Sequence, residues 1–316
     1  MSLEIPSTSV DNSHDDLSFA EERAFEFLTA QYDKAAIKMD DFIGIEGYGE
    51  KRVDRDKYRI AKKKQLIKEM GKPITKKAKL LEALLTEQIE LSNWFGQETS
   101  TIVPSEFDDL FHGVDLALEI DDEKEVKHLA LGIDVTSSPY AIRNKLKIIK
   151  RQIENEKLTA MEYFHSEEHN PDFYGTMSNI PQVVIGIDGK TIKELSELWF
   201  TANGRIKLKN KYNQPNLSHE TEENQRKRSK EAFKNLAEHR AQILLLEQIK
   251  IQLIAFYKFA LEKSKIDIAK KFLSTLELVN SVIKSKTTPD VDVILKNDED
   301  RVFQSLKESL YDFGDL

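Results

Sequence analysis

Acidic side chains in the middle of the chain have the types and spacing of a divalent-metal site. Three glutamates, Glu82, Glu87 and Glu90, lie in a segment with helical periodicity. Two aspartates stand alone among aliphatic residues, Asp115 in the sequence Gly-Val-Asp and Asp134 in the sequence Gly-Ile-Asp-Val-Thr. An isolated ionised carboxylate is too costly to bury, so each must lie in water, be paired or bind a metal ion. Because Mg²⁺ prefers one or two carboxylates with water and phosphate, the two aspartates predict phosphodiester chemistry at one shared Mg²⁺ or Mn²⁺ ion.

The hydrophobic pattern between residues 75 and 201 predicts the elements that must position these carboxylates. It favours a helix, three strands, a helix, a strand and a last helix, in that order. In chain order, the predicted segments are 75–95, 101–103, 114–120, 129–135, 138–157, 181–188 and a helix that begins near residue 191. Side chains alternate between the two faces of a strand, so each aspartate points away from its aliphatic neighbours. The order predicts a mixed α/β (α+β) fold around a central sheet.

This arrangement resembles the PD-(D/E)XK phosphodiesterase superfamily over residues 75–201. The shared features are glutamate on the first helix, Gly-x-Asp on the second strand and Ile-Asp-x-x on the third. The resemblance implies an αβββαβ core with a central mixed sheet, extended by helices at both ends. It also implies that Asp115 and Asp134 bind Mg²⁺ or Mn²⁺, joined by one of the three helix glutamates, of which Glu87 is favoured. The implied activity is hydrolysis of DNA by a nuclease, and the alternative is an inactive relative that binds nucleic acid or a protein partner.

The chain departs from the superfamily pattern at the catalytic lysine. The motif has lysine two positions after the acidic residue of the third strand, where this sequence has Thr136. Some members supply the lysine from the following helix, and Lys145 is the candidate because it lies at the edge of that helix's apolar stripe. Arg143, Lys147 and Lys150 fall further from the stripe. A lysine at such a position can also simply extend its charged end to solvent.

Four other polar residues lie close to the second predicted strand. Asp108 is expected to belong to an acidic loop, whereas Asp109 is equally suited to a loop or to a ligand role. Glu119 shares a strand face with Asp115 but lies about 13 Å along the strand, so we expect it to be paired or solvated. His112 is expected to be a loop histidine.

Residues 165–169 offer a rival metal site. Their His-x-x-Glu-His pattern would place His165 and His169 on one face of a helix, with Glu168 as the catalytic base of a zinc enzyme. Pro171 follows almost at once, so such a helix would be ending there. Because glutamate is abundant in this chain, two solvent-facing histidines are the better expectation.

The composition excludes several other classes of protein. The 316 residues contain no cysteine, which excludes disulfides and thiolate zinc sites and favours a reducing, cytoplasmic location. No apolar run approaches the length of a bilayer-spanning helix, so no membrane association is expected. The acidic N-terminus lacks the features of a secretory signal. Walker, nucleophile-elbow and dinucleotide-binding motifs are absent from the sequence.

The pattern divides the chain into five regions. They are a disordered acidic tail (1–17), an N-terminal helical extension (18–74), the nuclease-like core (75–204), a region of long helices (205–288) and an acidic C-terminal helix and tail (289–316).

The net charge of -8 conceals a segregation of charge along the chain. Residues 51–79 carry 13 basic and 3 acidic side chains, and residues 80–140 carry 2 basic and 14 acidic ones. We therefore expect segments 51–79 and 205–230 to bind the phosphates of nucleic acid, most simply DNA. The apolar helices of 218–286 either cover the sheet or pack against a partner, including a second copy in a homo-oligomer.

Overall fold

The computed structural model describes residues 17–71, 75–122, 127–166, 170–204, 222–286 and 299–314. In these ranges the chain forms a mixed α/β fold in which helices predominate. The helices are α1 (Phe19–Ala35), α2 (Glu50–Glu69), α3 (Lys76–Ser92), α4 (Glu106–His112), α5 (Pro139–Glu154), α6 (Gly189–Trp199), α7 (Glu222–Ala237), α8 (Ala241–Glu262), α9 (Ile266–Ser285) and α10 (Arg301–Leu310). The strands are β1 (Thr99–Ile102), β2 (Leu116–Asp122), β3 (Lys127–Thr136), β4 (Thr159–Ser166), β5 (Asn170–Ile180) and β6 (Gln182–Gly186).

The central sheet has the strand order β1-β2-β3-β6. The first three strands pair antiparallel, and β6 lies parallel to β3. In this register Leu116 is opposite Ile133, and Asp134 is opposite Val184. The start of β2 and the end of β3 therefore lie side by side at one end of the two middle strands, where the two candidate aspartates are found.

The two faces of the central sheet pack against different partners. Alternate residues such as Leu118, Leu131 and Ile133 belong to the main hydrophobic core, which includes the apolar faces of α3, α5 and α8. The opposite face, represented by Ala117 and Ala130, packs against Met161, Phe164 and Ile180 of the β4–β5 hairpin. The sheet is thus covered by helices on one side and by a hairpin on the other.

Helix α8 closes the exposed edge of β6 with two glutamine side chains. Gln252 accepts a hydrogen bond from the Val184 backbone N–H (2.8 Å) and donates one to the Val184 carbonyl (2.7 Å). Gln248 makes the same two bonds with Gly186, at 2.9 and 2.8 Å. Residues four apart on a helix face the same way, so the pair matches alternate residues of the strand. The two amides take the place of a further strand, which accounts for the packing of α8 against β6.

Replacing Gln252 with alanine is expected to lower the free energy of unfolding by about 2–4 kcal/mol. The change leaves the buried Val184 N–H and C=O without their partners, and each unpaired buried group costs about 1–3 kcal/mol. Urea denaturation measures the loss, and Lys258→Ala, at an exposed position on the same helix, serves as the control. A Gln252→Ala protein as stable as the control variant would contradict the role of the amide.

Several elements confirm the sequence prediction. The predicted N-terminal helical extension begins with α1, where Ser18 and Glu21 form a capping box and Ser18 N–H donates to the Glu21 carboxylate at 2.7 Å. The predicted helix, three strands, helix and strand appear as α3, β1, β2, β3, α5 and β6 with bounds shifted by a few residues. Within the described ranges, no helix combines the length and the apolarity that crossing a bilayer requires.

Other elements differ from the sequence prediction. Asp108 and Asp109 lie in the short helix α4 and not in a loop, because Ser105 caps that helix by accepting a hydrogen bond from Asp108 N–H. The β4–β5 hairpin was not predicted. The described part of the predicted long-helix region forms three helices, with breaks at residues 238–240 and 263–265. Residues 1–16 of the expected tail and residues 205–221 lie outside the described residues.

Candidate active site

Asp115 and Asp134 meet where β2 begins and β3 ends, as the alternation of strand side chains predicts. Asp115 N–H donates to the Ile133 carbonyl (2.8 Å), which continues the β2–β3 pairing by one residue. Its carboxylate Oδ2 accepts a hydrogen bond from Val135 N–H at 2.6 Å. The side chains of Asp115 and Asp134 are also hydrogen-bonded to each other. The two carboxyl groups therefore share one location, on strands whose backbone fixes both.

Two more acidic residues join this pair, and together we call Glu82, Asp109, Asp115 and Asp134 the carboxylate cluster. Asp109 comes from α4 and makes a side-chain hydrogen bond to Asp115. Glu82 comes from α3 and lies close enough for the charges of Asp115 and Asp109 to raise its pKa. Helices α3 and α4 thus each add an acidic group beside the two that lie where β2 begins and β3 ends.

The helix glutamate of the cluster is Glu82, which corrects the expectation of Glu87. Residues five apart on a helix are separated by about 140° around its axis, so both glutamates cannot face the same point. Glu87 accepts a hydrogen bond from its neighbour Gln88 at 3.3 Å. Glu90 faces β1, where it accepts hydrogen bonds from the N–H (2.6 Å) and the hydroxyl of Thr101.

Lys145 of α5 brings a single cation to the cluster. Its Nζ forms an ion pair with Asp134 Oδ1 and donates a hydrogen bond to the Val135 carbonyl at 3.2 Å. The Lys145 side chain is 26% exposed, so it reaches inward from the edge of its helix. The pattern-based choice of Lys145 over Arg143 and Lys147 therefore agrees with the geometry, since both of those side chains are exposed.

Thr136, at the position of the superfamily lysine, has a local structural role. Its hydroxyl accepts a hydrogen bond from Ser138 N–H (3.1 Å) and donates one to the Ser138 carbonyl (3.3 Å). The residue is buried and ends β3 just before α5 begins at Pro139. The turn into α5 thus uses Thr136, and the lysine reaches the cluster from nine residues further along the chain.

Burial and mutual repulsion raise the pKa values of the clustered carboxyl groups. Burial, and then the charge of Asp115, raises the pKa of Asp134 to about 8 despite the opposing effect of Lys145. The same two causes raise the pKa of Asp109 to about 7. Burial is also the main reason that the pKa of Glu82 is raised. Asp109 and Asp134 therefore hold protons close to neutral pH, as buried carboxyl groups beside like charges do.

Two residues that sequence reasoning did not identify support the cluster. Tyr32 of α1 donates a hydrogen bond from its hydroxyl to the Asp115 carbonyl across 83 positions of sequence. Gly113 ends α4 with a φ of 65°, a conformation that glycine adopts at little cost. A Cβ atom on Gly113 would lie 3.8 Å from Asp134 Oδ2, an ordinary contact distance, so the positive φ and not lack of space favours glycine here. Neither contact has a local signal in the sequence.

The other polar candidates near β2 have structural partners. Asp108 is fully buried and accepts hydrogen bonds from the N–H groups of Glu162 (2.6 Å) and Tyr163 (3.1 Å), which ties α4 to the hairpin. His112 is the last residue of α4, where its Nδ1 lies 2.9 Å from Asp108 Oδ1. Glu119 accepts a hydrogen bond from the Ser166 hydroxyl at 2.6 Å, so the expectation of a paired residue is confirmed.

The helical zinc site expected as a rival at residues 165–169 is wrong because His165 lies on strand β4. Its ring stacks on Tyr174 with centroids 3.9 Å apart, and its Nδ1 lies 3.2 Å from the Phe173 carbonyl. Glu168 and His169 lie outside the described residues.

Comparison with protein-family models, with curated proteins and with solved structures finds no match to this chain. The chemistry of the site is therefore argued from its own geometry. In the parts of the chain that the structure describes, no group of three or more histidine, aspartate or glutamate side chains is arranged so that it could hold a metal ion.

Proposed function

We propose that this protein hydrolyses phosphodiester bonds in DNA with Mg²⁺ or Mn²⁺, as a nuclease with a PD-(D/E)XK-like αβββαβ core. The observation that carries the proposal is the meeting of Asp115, Asp134 and Lys145 where β2 begins and β3 ends. The order α3, β1, β2, β3, α5, β6 and the strand order β1-β2-β3-β6 support the core, with α4 and the β4–β5 hairpin as insertions.

The donor set fits a hard divalent cation. Asp115 and Asp134 supply two carboxylates that already share a hydrogen bond and therefore lie within reach of one ion. Mg²⁺ commonly takes one or two protein carboxylates and completes its coordination with water and substrate phosphate. A cation beside the two groups would also offset the repulsion that Asp115 exerts on Asp134. Asp109 and Glu82 would surround that ion with further negative charge.

In the proposed hydrolysis, the aspartates and Lys145 have separate roles. A bound Mg²⁺ polarises the phosphoryl group and lowers the pKa of an attacking water. Asp115 and Asp134 hold the ion, and Val135 N–H fixes the orientation of the Asp115 carboxylate. Lys145 Nζ, held on Asp134 Oδ1, orients the nucleophile and stabilises negative charge that develops on the phosphate. Asp109 holds Asp115 through its side-chain hydrogen bond.

A catalytically inactive protein with the same core, which binds nucleic acid or a protein partner, is the second candidate. The absence of lysine at Thr136 favours this alternative. The ion pair between Lys145 and Asp134 favours the active enzyme.

Purified full-length protein, assayed on plasmid and on single-stranded DNA, is expected to cut at least one of the two in Mg²⁺ or Mn²⁺ and neither in EDTA. Asp115→Asn is expected to lower the cleavage rate at least about a hundredfold, because the amide keeps the bond from Val135 N–H but loses the charge that holds the ion. Gel electrophoresis of the products measures both effects. Cleavage that persists in Asp115→Asn would contradict the proposal, and absence of cleavage in the native protein would leave the inactive alternative.

A further inference from the structure

A cleft of about 1010 Å³ opens beside the carboxylate cluster. Glu82, Asp109 and Tyr32 line one part of it, so the cleft reaches the candidate catalytic groups directly. Its other walls come from the end of α1, the turn at residues 37–40, helix α2 and the start of α4. The N-terminal helices, which lie outside the αβββαβ core, therefore build a wall of the access route to the cluster.

One face of α2 lines this cleft with alternating lysine and isoleucine. The lining residues of the helix are Lys57, Ile60, Lys64, Ile67 and Lys68. Their spacing of three, four, three and one residues keeps them on a single stripe of the helix. Lysine ammonium groups bind phosphate as point charges, and aliphatic side chains contact sugars and bases. Such a stripe suits a polymer that presents phosphates and apolar rings in alternation.

The lysines of the cleft are available to an incoming phosphate at little cost. Lys57 pairs with Asp40, Lys64 with Glu106, and Lys79 with Asp33. The Lys64 and Glu106 side chains are each about half exposed. Exposed ion pairs contribute only about 0–1 kcal/mol, so phosphate can replace the rim carboxylates.

We propose that this cleft binds one strand of DNA and leads it to the carboxylate cluster, so that the substrate is single-stranded DNA. This inference rests on the proposed function for the chemistry but not for the binding. The isoleucines of α2 can contact bases only where those bases are unpaired and exposed, whereas a duplex keeps its bases stacked inside the double helix. A cleft that pairs lysine with isoleucine along one wall therefore suits a single strand better than a duplex.

Fluorescence anisotropy of the full-length protein in EDTA tests the proposal without any cleavage. The probes are a labelled 12-nucleotide oligo-dT strand and a blunt duplex of the same length. We expect the single strand to bind at least about tenfold more tightly than the duplex. Equal or tighter binding of the duplex, or no binding of either probe, would overturn the inference.

Matched variants of α2 locate the binding on the cleft. Lys64→Gln combined with Lys68→Gln is expected to weaken single-strand binding at least about fivefold and to reduce the slope of log affinity against log salt by about 1.4, since each lost phosphate contact on a single strand is worth about 0.7. Lys62→Gln, an exposed lysine of the same helix outside the cleft, is expected to change neither quantity. An equal loss of affinity in Lys62→Gln would show that the DNA is bound by the general positive charge of α2 and not by the cleft, and would overturn the proposal.

The acidic side of the rim gives a test in the opposite direction. Glu106→Gln removes the partner of Lys64 and is expected to tighten single-strand binding about threefold, with circular dichroism verifying the fold. No gain in affinity would contradict the exchange of rim carboxylate for phosphate. If binding follows these expectations but no metal-dependent cleavage occurs, the cleft binds single-stranded DNA and the proposed nuclease activity is wrong. Cleavage that depends on Asp115, with no preference for the single strand, would reject the cleft and sustain the nuclease.

Discussion

Asp134→Asn is expected to stabilise the metal-free protein at pH 9 by about 1–3 kcal/mol while removing metal-dependent cleavage. The reason lies in the raised pKa of Asp134, about 8, which results first from burial and then from the charge of Asp115. In the unfolded chain an aspartate has a pKa near 3.9. Between about pH 4 and pH 8 the folded protein therefore holds a proton that the unfolded chain has released.

The sign of the pH dependence follows from that proton. Stability falls as the pH rises through this window, by at most about 1.4 kcal/mol per pH unit for one group, and levels off above the folded pKa. The raised pKa of Asp109, about 7, acts in the same direction up to neutral pH. Asparagine at position 134 has no charge to desolvate, and its side-chain oxygen can still accept the hydrogen bond from Lys145. The variant should thus lose less stability on the alkaline side.

Urea unfolding in EDTA at pH 5.5, 7 and 9 measures this difference. The native protein is expected to lose stability across the series more steeply than Asp134→Asn. Asp312→Asn, which changes a partly exposed aspartate that pairs with Arg143, provides a control with the same change of net charge. Parallel pH profiles for the native protein and Asp134→Asn would mean that the carboxylate cluster is not under electrostatic strain.

The proximity of Asp115 and Asp134 could be predicted from the sequence because the direction of a side chain on a strand depends only on its position in that strand. Asp115 and Asp134 each interrupt an aliphatic run, and alternation alone puts both side chains on the face away from that run. Lys145 was accessible in the same way, from its position relative to the apolar stripe of α5. The family likeness added the expectation that these three residues act together.

The choice between Glu82 and Glu87 was not accessible, because both residues flank the apolar stripe of α3. The buried residues of that helix include Leu81, Leu85 and Gln88, which lie between the two glutamates around the axis. The rotation that turns Glu82 toward Asp115 depends on how α3 packs against the sheet and α1. Sequence periodicity identifies the buried face but not which of its two borders faces a particular site.

The β4–β5 hairpin and the glutamine-capped edge were missed for a different reason. The pairing of the hairpin is irregular, so its hydrophobic alternation is broken. The register shifts lie between Thr159 and Ala160, between Met161 and Phe164, and between His165 and Ser166. Gln248 and Gln252 are polar residues inside the most apolar helix of the chain, and their partners lie on β6. Polar side chains that serve backbone groups 62 or 68 positions away carry no local signature.

Lys145→Met is expected to lower the rate of DNA cleavage by about 10²–10³ with Mg²⁺ and DNA both saturating. In the proposed mechanism, the Nζ atom bonded to Asp134 Oδ1 and to the Val135 carbonyl is the cation that stabilises charge on the reacting phosphate. Methionine retains most of the volume and loses the charge. Lys147→Met changes an exposed lysine two residues away on the same helix and is expected to leave the rate within about twofold.

The same variants separate a catalytic lysine from a structural one. If Lys145 only neutralised Asp134, Lys145→Met would alter the unfolding free energy and the Mg²⁺ concentration needed for activity, but cleavage at saturation would recover. If Lys145 acts on the substrate, saturation does not restore the rate, and single-strand binding in EDTA, which depends on Lys64 and Lys68, stays unchanged. Position 136 of β3 has threonine, and Lys145 comes from α5. A loss of rate that persists at saturating Mg²⁺ would therefore identify Lys145 as the catalytic lysine.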